Sequence, residues 1–186
     1  MQTVSVAWEP PSGFEVWIDD RIVVEASGIE GSGLLTTADI PSGTVVLRLA
    51  GRLVSTAELV ELIAAADADP RAPYVDTITV HEDGHLVMPP GTPAHFANHS
   101  CDPNLWHVGP YELATRRDVR AGEELTVDYG TSSGADGLDM ACTCGSALCR
   151  GQVTSDDWQR PELQARYRGH WTPALQQRID GLRARP

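Results

Sequence analysis

His95-Phe96-Ala97-Asn98-His99-Ser100-Cys101-Asp102-Pro103-Asn104 is the stretch on which the reading of this chain turns. It sets two amides, two imidazoles, a hydroxyl and a thiol in a turn closed by proline. Short polar side chains of this kind bond to nearby backbone groups, so a hydrogen-bonded turn accounts for some of them. It does not account for so many chemically capable groups together, nor for a cysteine among them.

Cys101 leads outward to the other three cysteines, Cys142, Cys144 and Cys149, which stand as C-x-C-x4-C in Cys142-Thr143-Cys144-Gly145-Ser146-Ala147-Leu148-Cys149. Thiolates at such spacing suit a tetrahedral zinc ion, which takes four soft or borderline ligands. The cluster supplies three. The fourth is Cys101, which leaves no cysteine over, or its neighbour His99. A closed site of this kind has no open position for catalysis; it would tie residue 101 to the segment 142–149, and folding of the tail would then depend on the metal.

Two further motifs flank these. Gly122-Glu123-Glu124-Leu125-Thr126-Val127-Asp128-Tyr129 reads as a strand that ends in a phenol. Glu30-Gly31-Ser32-Gly33-Leu34 lies before a strand, with Ile40-Pro41-Ser42-Gly43 after it. Its glycines permit left-handed turns and close backbone approach to a ligand. It is not a dinucleotide fingerprint, because no helix pattern follows.

In this order, N-H-S-C-x-P-N, G-E-E-L-T-x-D-Y and the trailing C-x-C-x4-C-R-G resemble the SET-domain protein-lysine methyltransferases with a post-SET zinc segment. The resemblance covers about Arg21 to Gly151, and the segment after Asp157 resembles the tail of small bacterial-type members. It implies a SET-type fold of several small twisted sheets, in which a C-terminal strand threads beneath a preceding loop as a pseudoknot. It implies S-adenosylmethionine as methyl donor, bound by backbone groups of Glu30, Gly31, Ser32, Gly33 and Leu34. Asn98 and His99 would hold the donor's amino-acid and adenine portions, and Tyr129 would be the active-site tyrosine. Cys101, Cys142, Cys144 and Cys149 would carry a structural zinc ion. The implied partner is a protein or peptide bearing a lysine. The motifs report the donor and an amine channel, so a peptide or small-molecule amine in a specialised pathway is an alternative acceptor, and a non-catalytic module that keeps the fold is an alternative role.

The chain departs from the family at two places. His95 stands where many members carry arginine. Gly130-Thr131-Ser132-Ser133-Gly134 follows the Asp128-Tyr129 pair without the aromatic that tunes product multiplicity in many members. Trp106, Tyr111, Tyr74 and Trp158 are the aromatics available to line a channel instead. A free lysine amine has a pKa near ~10.4, so it must lose a proton before it attacks the methyl group. These motifs contain no evident strong general base; desolvation and the donor's sulfonium charge are the effects that would lower the amine's pKa.

Elsewhere the pattern is β-rich α+β. Short strands are expected at 21–24, 33–35 and 44–49. Ser55-Thr56-Ala57-Glu58 is a capping box, followed by Leu59, Leu62, Ile63 and Ala66 at helical spacing and ended by Asp69-Pro70; this predicts an amphipathic helix laid on a sheet. Strands return over 74–87, 105–117 and 124–128, and the C-terminus turns helical around Trp158, Leu163 and Tyr167, then Leu175, Ile179 and Leu182. Pro173 is placed to open the last helix. The expected organisation is an N-terminal extension at 1–20, a SET domain at 21–130, a post-SET zinc segment at 131–151 and a C-terminal helical tail at 152–186. Pro10-Pro11-Ser12-Gly13 reads as a loop.

The 186 residues fit one domain, and they carry a net charge of −12. All 14 basic residues are arginine, so no lysine is present for automethylation. From Arg160 onward, six arginines face only Glu162 and Asp180, so this tail is positive and suited to pack against an acidic remainder. An acidic protein is a poor direct binder of nucleic acid, whose phosphates demand cations, and it steers basic partners toward itself. No apolar run suits a membrane span. With no secretory pattern at Met1–Gly13, a cytoplasmic location is expected, where thiols stay reduced and bind metal.

Overall fold

The computed structural model describes residues 15–134 and 137–184. The loop expected at Pro10–Gly13 lies outside the described residues. Among these residues, twelve short strands form four small sheets. They are β1 (Trp17–Ile18), β2 (Ile22–Ala26), β3 (Ser32–Thr36), β4 (Val45–Arg48), β5 (Arg52–Val54), β6 (Thr77–His81), β7 (Gly84–Val87), β8 (Leu105–His107), β9 (Glu112–Thr115), β10 (Glu124–Leu125), β11 (Asp139–Ala141) and β12 (Gln152–Thr154). Three helices join them: α1 (Thr56–Ala68), α2 (Pro161–Arg166) and α3 (Pro173–Arg183).

The sheets run β1-β4-β9-β8, β10-β3-β2, β5-β7-β6 and β11-β12, with antiparallel neighbours throughout. Trp17 pairs with Arg48, so residues inside the expected N-terminal extension serve as an edge strand of the first sheet. The run expected as one strand over 105–117 is a hairpin. Gly109 takes φ +135, a conformation that side chains disfavour, and with Pro110 it reverses the chain between β8 and β9.

The inner faces of the first three sheets meet in one core that includes Leu34, Leu47, Leu86, Leu105, Leu113 and Leu125. Each such side chain contributes on the order of 1.5–3 kcal/mol by leaving water. The C-terminal tail has its own cluster of Leu163, Tyr167, Trp171, Leu175 and Ile179. Leu182, which shares the apolar spacing, is instead exposed.

Ser55 caps α1 as its sequence predicts: its hydroxyl accepts from Glu58 N–H and the Glu58 carboxylate accepts from Ser55 N–H. Such a cap contributes about 1 kcal/mol. The helix does not lie flat on a sheet, however. Of its apolar face only Leu59 is buried, while Ile63 and Ala66 border a groove.

The decisive long-range contact joins the two central motifs. His99 bridges Val127 in parallel, Val127 N–H donates to Asn98 O at 3.0 Å, and Ser100 N–H donates to Val127 O at 3.0 Å. The segment before Tyr129 is thereby bound alongside the Asn98–Ser100 loop, the contact that the threaded arrangement requires.

Candidate active site

Tyr129 opens a short turn whose start is fixed by Asp128, which accepts from Gly130 N–H. Its backbone N–H donates to Nδ1 of His99 at 3.2 Å, and its phenol donates to Ala97 O at 3.0 Å. The ring is held at both ends by the 97–99 segment. Burial, with the nearby Asp76 adding to it, pushes the phenol's pKa well above its usual value. Tyr129 therefore stays protonated and acts as a hydrogen-bond donor, not as a base.

His99 is buried and neutral, with its pKa lowered to about 4 chiefly by loss of solvent. With Nδ1 occupied by Tyr129 N–H, its Nε2 faces Cys101 Sγ at 3.3 Å.

Asn98 links the loop before β3 to the site. Its amide nitrogen lies 3.0 Å from Ser27 Oγ, 3.1 Å from Glu30 O, 3.0 Å from Ser32 O and 2.8 Å from Glu124 Oε1. Glu124 also accepts from Ser27 Oγ and Gly28 N–H. A Cβ at Gly33 would push the Glu124 carboxylate out of this cradle. Gly31 supplies the turn at φ +53. Leu34 is fully buried in the core. Ser27 and Glu124 as the loop's anchors escape a sequence reading; Glu124 stands inside a recognised motif but looks like a surface charge.

The four cysteines converge. Cys101, Cys142, Cys144 and Cys149 place their sulfurs within 4.8 Å of one another, and His99 stands beside this group. The β11-β12 hairpin carries the last three, closed by Cys142 N–H donating to Gly151 O. Backbone N–H groups of Arg150 and Cys101 point at the sulfurs of Cys101 and Cys144, at 3.3 and 3.4 Å. Four thiols, two of whose sulfurs accept from backbone amides, fit a metal ion held as a tetrathiolate.

Behind them sits a buried ionic network absent from the sequence reading. Arg150 donates to both oxygens of Asp128, at 2.7 and 2.8 Å, and pairs with Asp157 at 2.9 Å. Tyr167 donates to Asp128 at 2.9 Å. The tail is tied down further by Arg166 on Cys101 O, Arg178 on Gly134 O, and His170 stacked on Trp106 at 3.3 Å. Its arginines thus bond mostly to carbonyls and to two acids, more than to a diffuse acidic face.

Tyr129 stands where two cavities meet. The outer groove, of about 830 Å³, is lined by Glu30, Ile63, Tyr74, His95, Tyr129 and Met140 among others. The inner cavity, about 90 Å³, is lined by Asp76, Ile78, Met88, His107, Val127 and Tyr129 among others. Tyr74 borders both; Trp106, Tyr111 and Trp158 border neither.

A family model, "SET domain", matches residues 31–130. The chain belongs to the SET-domain family. The small antiparallel sheets, with helices added at the C-terminus, are its SET-type fold. Similar proteins include the histone-lysine N-methyltransferase ash1 of Drosophila melanogaster, 31% identical over 134 residues, which are 67% of this chain and 6% of that protein. They also include the histone-lysine N-methyltransferase trithorax of Drosophila virilis, 35% identical over 147 residues, 70% of this chain and 4% of that protein. The histone-lysine N-methyltransferase ATX2 of Arabidopsis thaliana is 32% identical over 162 residues, 78% of this chain and 14% of that protein. The chain thus spans a small part of the length of the curated relatives it matches.

Proposed function

We propose that the protein is an S-adenosylmethionine-dependent N-methyltransferase acting on lysine side chains of a protein substrate. The observation that carries this is Tyr129, fixed to Ala97 O and His99 at the junction of an open groove and a narrow inner cavity. A donor held by the Glu30–Gly33 loop, Asn98 and His99 would reach the acceptor there. The relatives named as histone-lysine methyltransferases support a lysine-bearing protein as acceptor. The net charge of −12 favours a basic one and disfavours direct binding to nucleic acid.

Methyl transfer is an in-line displacement, and most of its acceleration comes from orientation and exclusion of water. The Tyr129 phenol, kept protonated, contributes a fixed dipole at the junction. Ala97 O, already bonded to it, sets its direction.

Zinc is the metal that four thiolates suit best, and we assign it to Cys101, Cys142, Cys144 and Cys149, with Cys101 and not His99 as the fourth ligand. Its role is structural: it clamps the 142–149 segment onto the loop that carries Asn98 and His99. Reduced thiols fit a cytoplasmic location.

The test is transfer of a radiolabelled methyl group from S-adenosylmethionine to a host lysate, followed by mass spectrometry of the labelled site. Label on lysines in the protein fraction is expected. Label confined to small molecules would assign a different acceptor, and absence of donor binding by calorimetry would leave a non-catalytic module.

A further inference from the structure

The inner cavity contains a carboxylate that none of the sequence motifs includes. Asp76 lies just before β6, among Leu49, Ile78, Met88 and Val127, on the same cavity wall system as the Tyr129 ring. Its Oδ2 is 3.2 Å from Nδ1 of His95, and the two side chains retain only about a fifth of their exposure (21% and 22%). A carboxylate in apolar surroundings is unfavourable unless a cation or donor meets it. His95 meets one oxygen. Burial nonetheless outweighs that partner and raises the carboxyl's pKa. The polar part of the lining is also incompletely bonded: Thr77 Oγ1 and both ring nitrogens of His107 are buried with no partner among the described residues. Those atoms are sealed from solvent, so the group of this lining open to a guest is the Asp76 carboxylate, and among apolar neighbours it suits one that is slender and cationic at its tip.

We infer that Asp76 binds the acceptor's ammonium in this cavity and takes its proton, with His95 passing that proton to the outer groove. This rests on the amine methyl transfer proposed above. It supplies the base that the sequence motifs lack, and it gives His95, which stands where arginine is common, a task that arginine cannot perform.

In water at neutral pH, only roughly one lysine amine in a few thousand is neutral. Beside Asp76 the ammonium first gains a counter-ion, which also offsets repulsion from the sulfonium. A proton then moves from the ammonium nitrogen to an Asp76 carboxylate oxygen, leaving a neutral amine and a neutral acid. The nitrogen lone pair forms the N–C bond while the C–S bond breaks and its electron pair stays on sulfur. The positive charge passes from the sulfonium to the methylated nitrogen. The proton on Asp76 moves to the imidazole of His95, which borders both cavities, and from there to solvent.

Two measurements test this. The first is binding of n-butylammonium, a four-carbon mimic of the lysine tip, followed by NMR of the Tyr129 and His95 rings with S-adenosylmethionine present. Wild type should bind it, Asp76→Asn should bind at least tenfold more weakly, and His95→Gln, which keeps an N–H toward Asp76, should bind nearly as well. Equal binding by wild type and Asp76→Asn, or no binding at all, overturns the inference. The second is a pH–rate profile on lysine-containing basic peptides. Titratable groups that line Asp76's cavity are His95, Tyr74, Tyr129 and His107, the adjoining groove adds Glu30, Asp67 and Asp139, and each is unchanged in Asp76→Asn. At pH 7 this variant should lose on the order of 10²-fold or more in kcat/KM, typical of a lost general base. The loss should shrink about tenfold per pH unit as the free amine deprotonates, so a 10²-fold loss is gone about two pH units higher, below the amine's own pKa near ~10.4. A loss that is the same at every pH is the result of a merely structural role and overturns the inference. If wild type binds butylammonium through Asp76 yet methylates no lysine peptide, the acceptor assignment fails while the ammonium site stands.

Discussion

Arg150 grips Asp128 with two guanidinium nitrogens, at 2.7 and 2.8 Å, one residue before Tyr129. Both side chains are almost wholly buried, and the same arginine pairs with Asp157. Removing it leaves buried Asp128 without its cation and Asp157 with only the more distant, half-exposed Arg160 at 3.7 Å. Arg150→Leu should therefore destabilise the protein by about 3–5 kcal/mol in urea unfolding. Arg150→Leu combined with Asp128→Asn and Asp157→Asn should recover part of that loss. If the triple variant is no more stable than the single one, the penalty lies in packing and not in unpaired charge.

Zinc removal should act at a distance. The cluster joins Cys101, two residues after His99, to the β11-β12 hairpin. Atomic absorption should find one zinc per chain, lost on chelation and in Cys142→Ser. Hydrogen exchange of the 138–154 segment should accelerate, and affinity for S-adenosylmethionine should fall by about tenfold or more. Unchanged exchange in metal-free protein would show that the thiols converge without needing an ion.

Tyr129→Phe separates positioning from binding. The variant keeps the ring and loses only the hydroxyl that donates to Ala97 O. Turnover should fall on the order of 10²-fold, the usual cost of deleting one positioned donor. Donor affinity by calorimetry should change little. Loss of donor binding with unchanged residual turnover would remove Tyr129 from the chemistry.

Local rules account for what the sequence made legible. The capping box at Ser55–Glu58 and the proline that opens α3 each declare themselves within a few residues. The motifs around Asn98, Tyr129 and the cysteines were legible because their residue types and order are specific. The hairpin at Gly109-Pro110 was missed because the apolar pattern runs across it. Asp76, Glu124 and Arg150 were missed for a different reason. An acid or an arginine looks like surface until its partner is known, and His95, Asn98 and Asp128 lie 19, 26 and 22 residues away from them in the chain. Their meaning comes only from long-range pairing.

The last prediction concerns pH. His107 is buried on β8 with its pKa lowered to about 4, mainly by loss of solvent and further by His170. His99 is lowered to about 4 as well. In the unfolded chain both return toward 6.5. Between these values the unfolded state holds protons that the native state does not, so stability rises with pH across that window. It is full above about 6.5 and is lost as pH falls toward 4. For His107 the loss is on the order of 3 kcal/mol at the acid end. Asp19, held near about 2 by Arg21, loses its contribution only at still lower pH, below the usual carboxylate value of 3.8. Asp76, whose carboxyl is raised by burial, titrates in the same window with the opposite sign, so the histidine share is read from a variant and not from wild type alone. His107→Phe keeps a ring in the cavity wall and removes two unsatisfied nitrogens. Urea unfolding at pH 7 and pH 5 should show wild type losing stability between them and His107→Phe losing about half as much. An equal loss in the two proteins would mean that His107 is solvated in the native state.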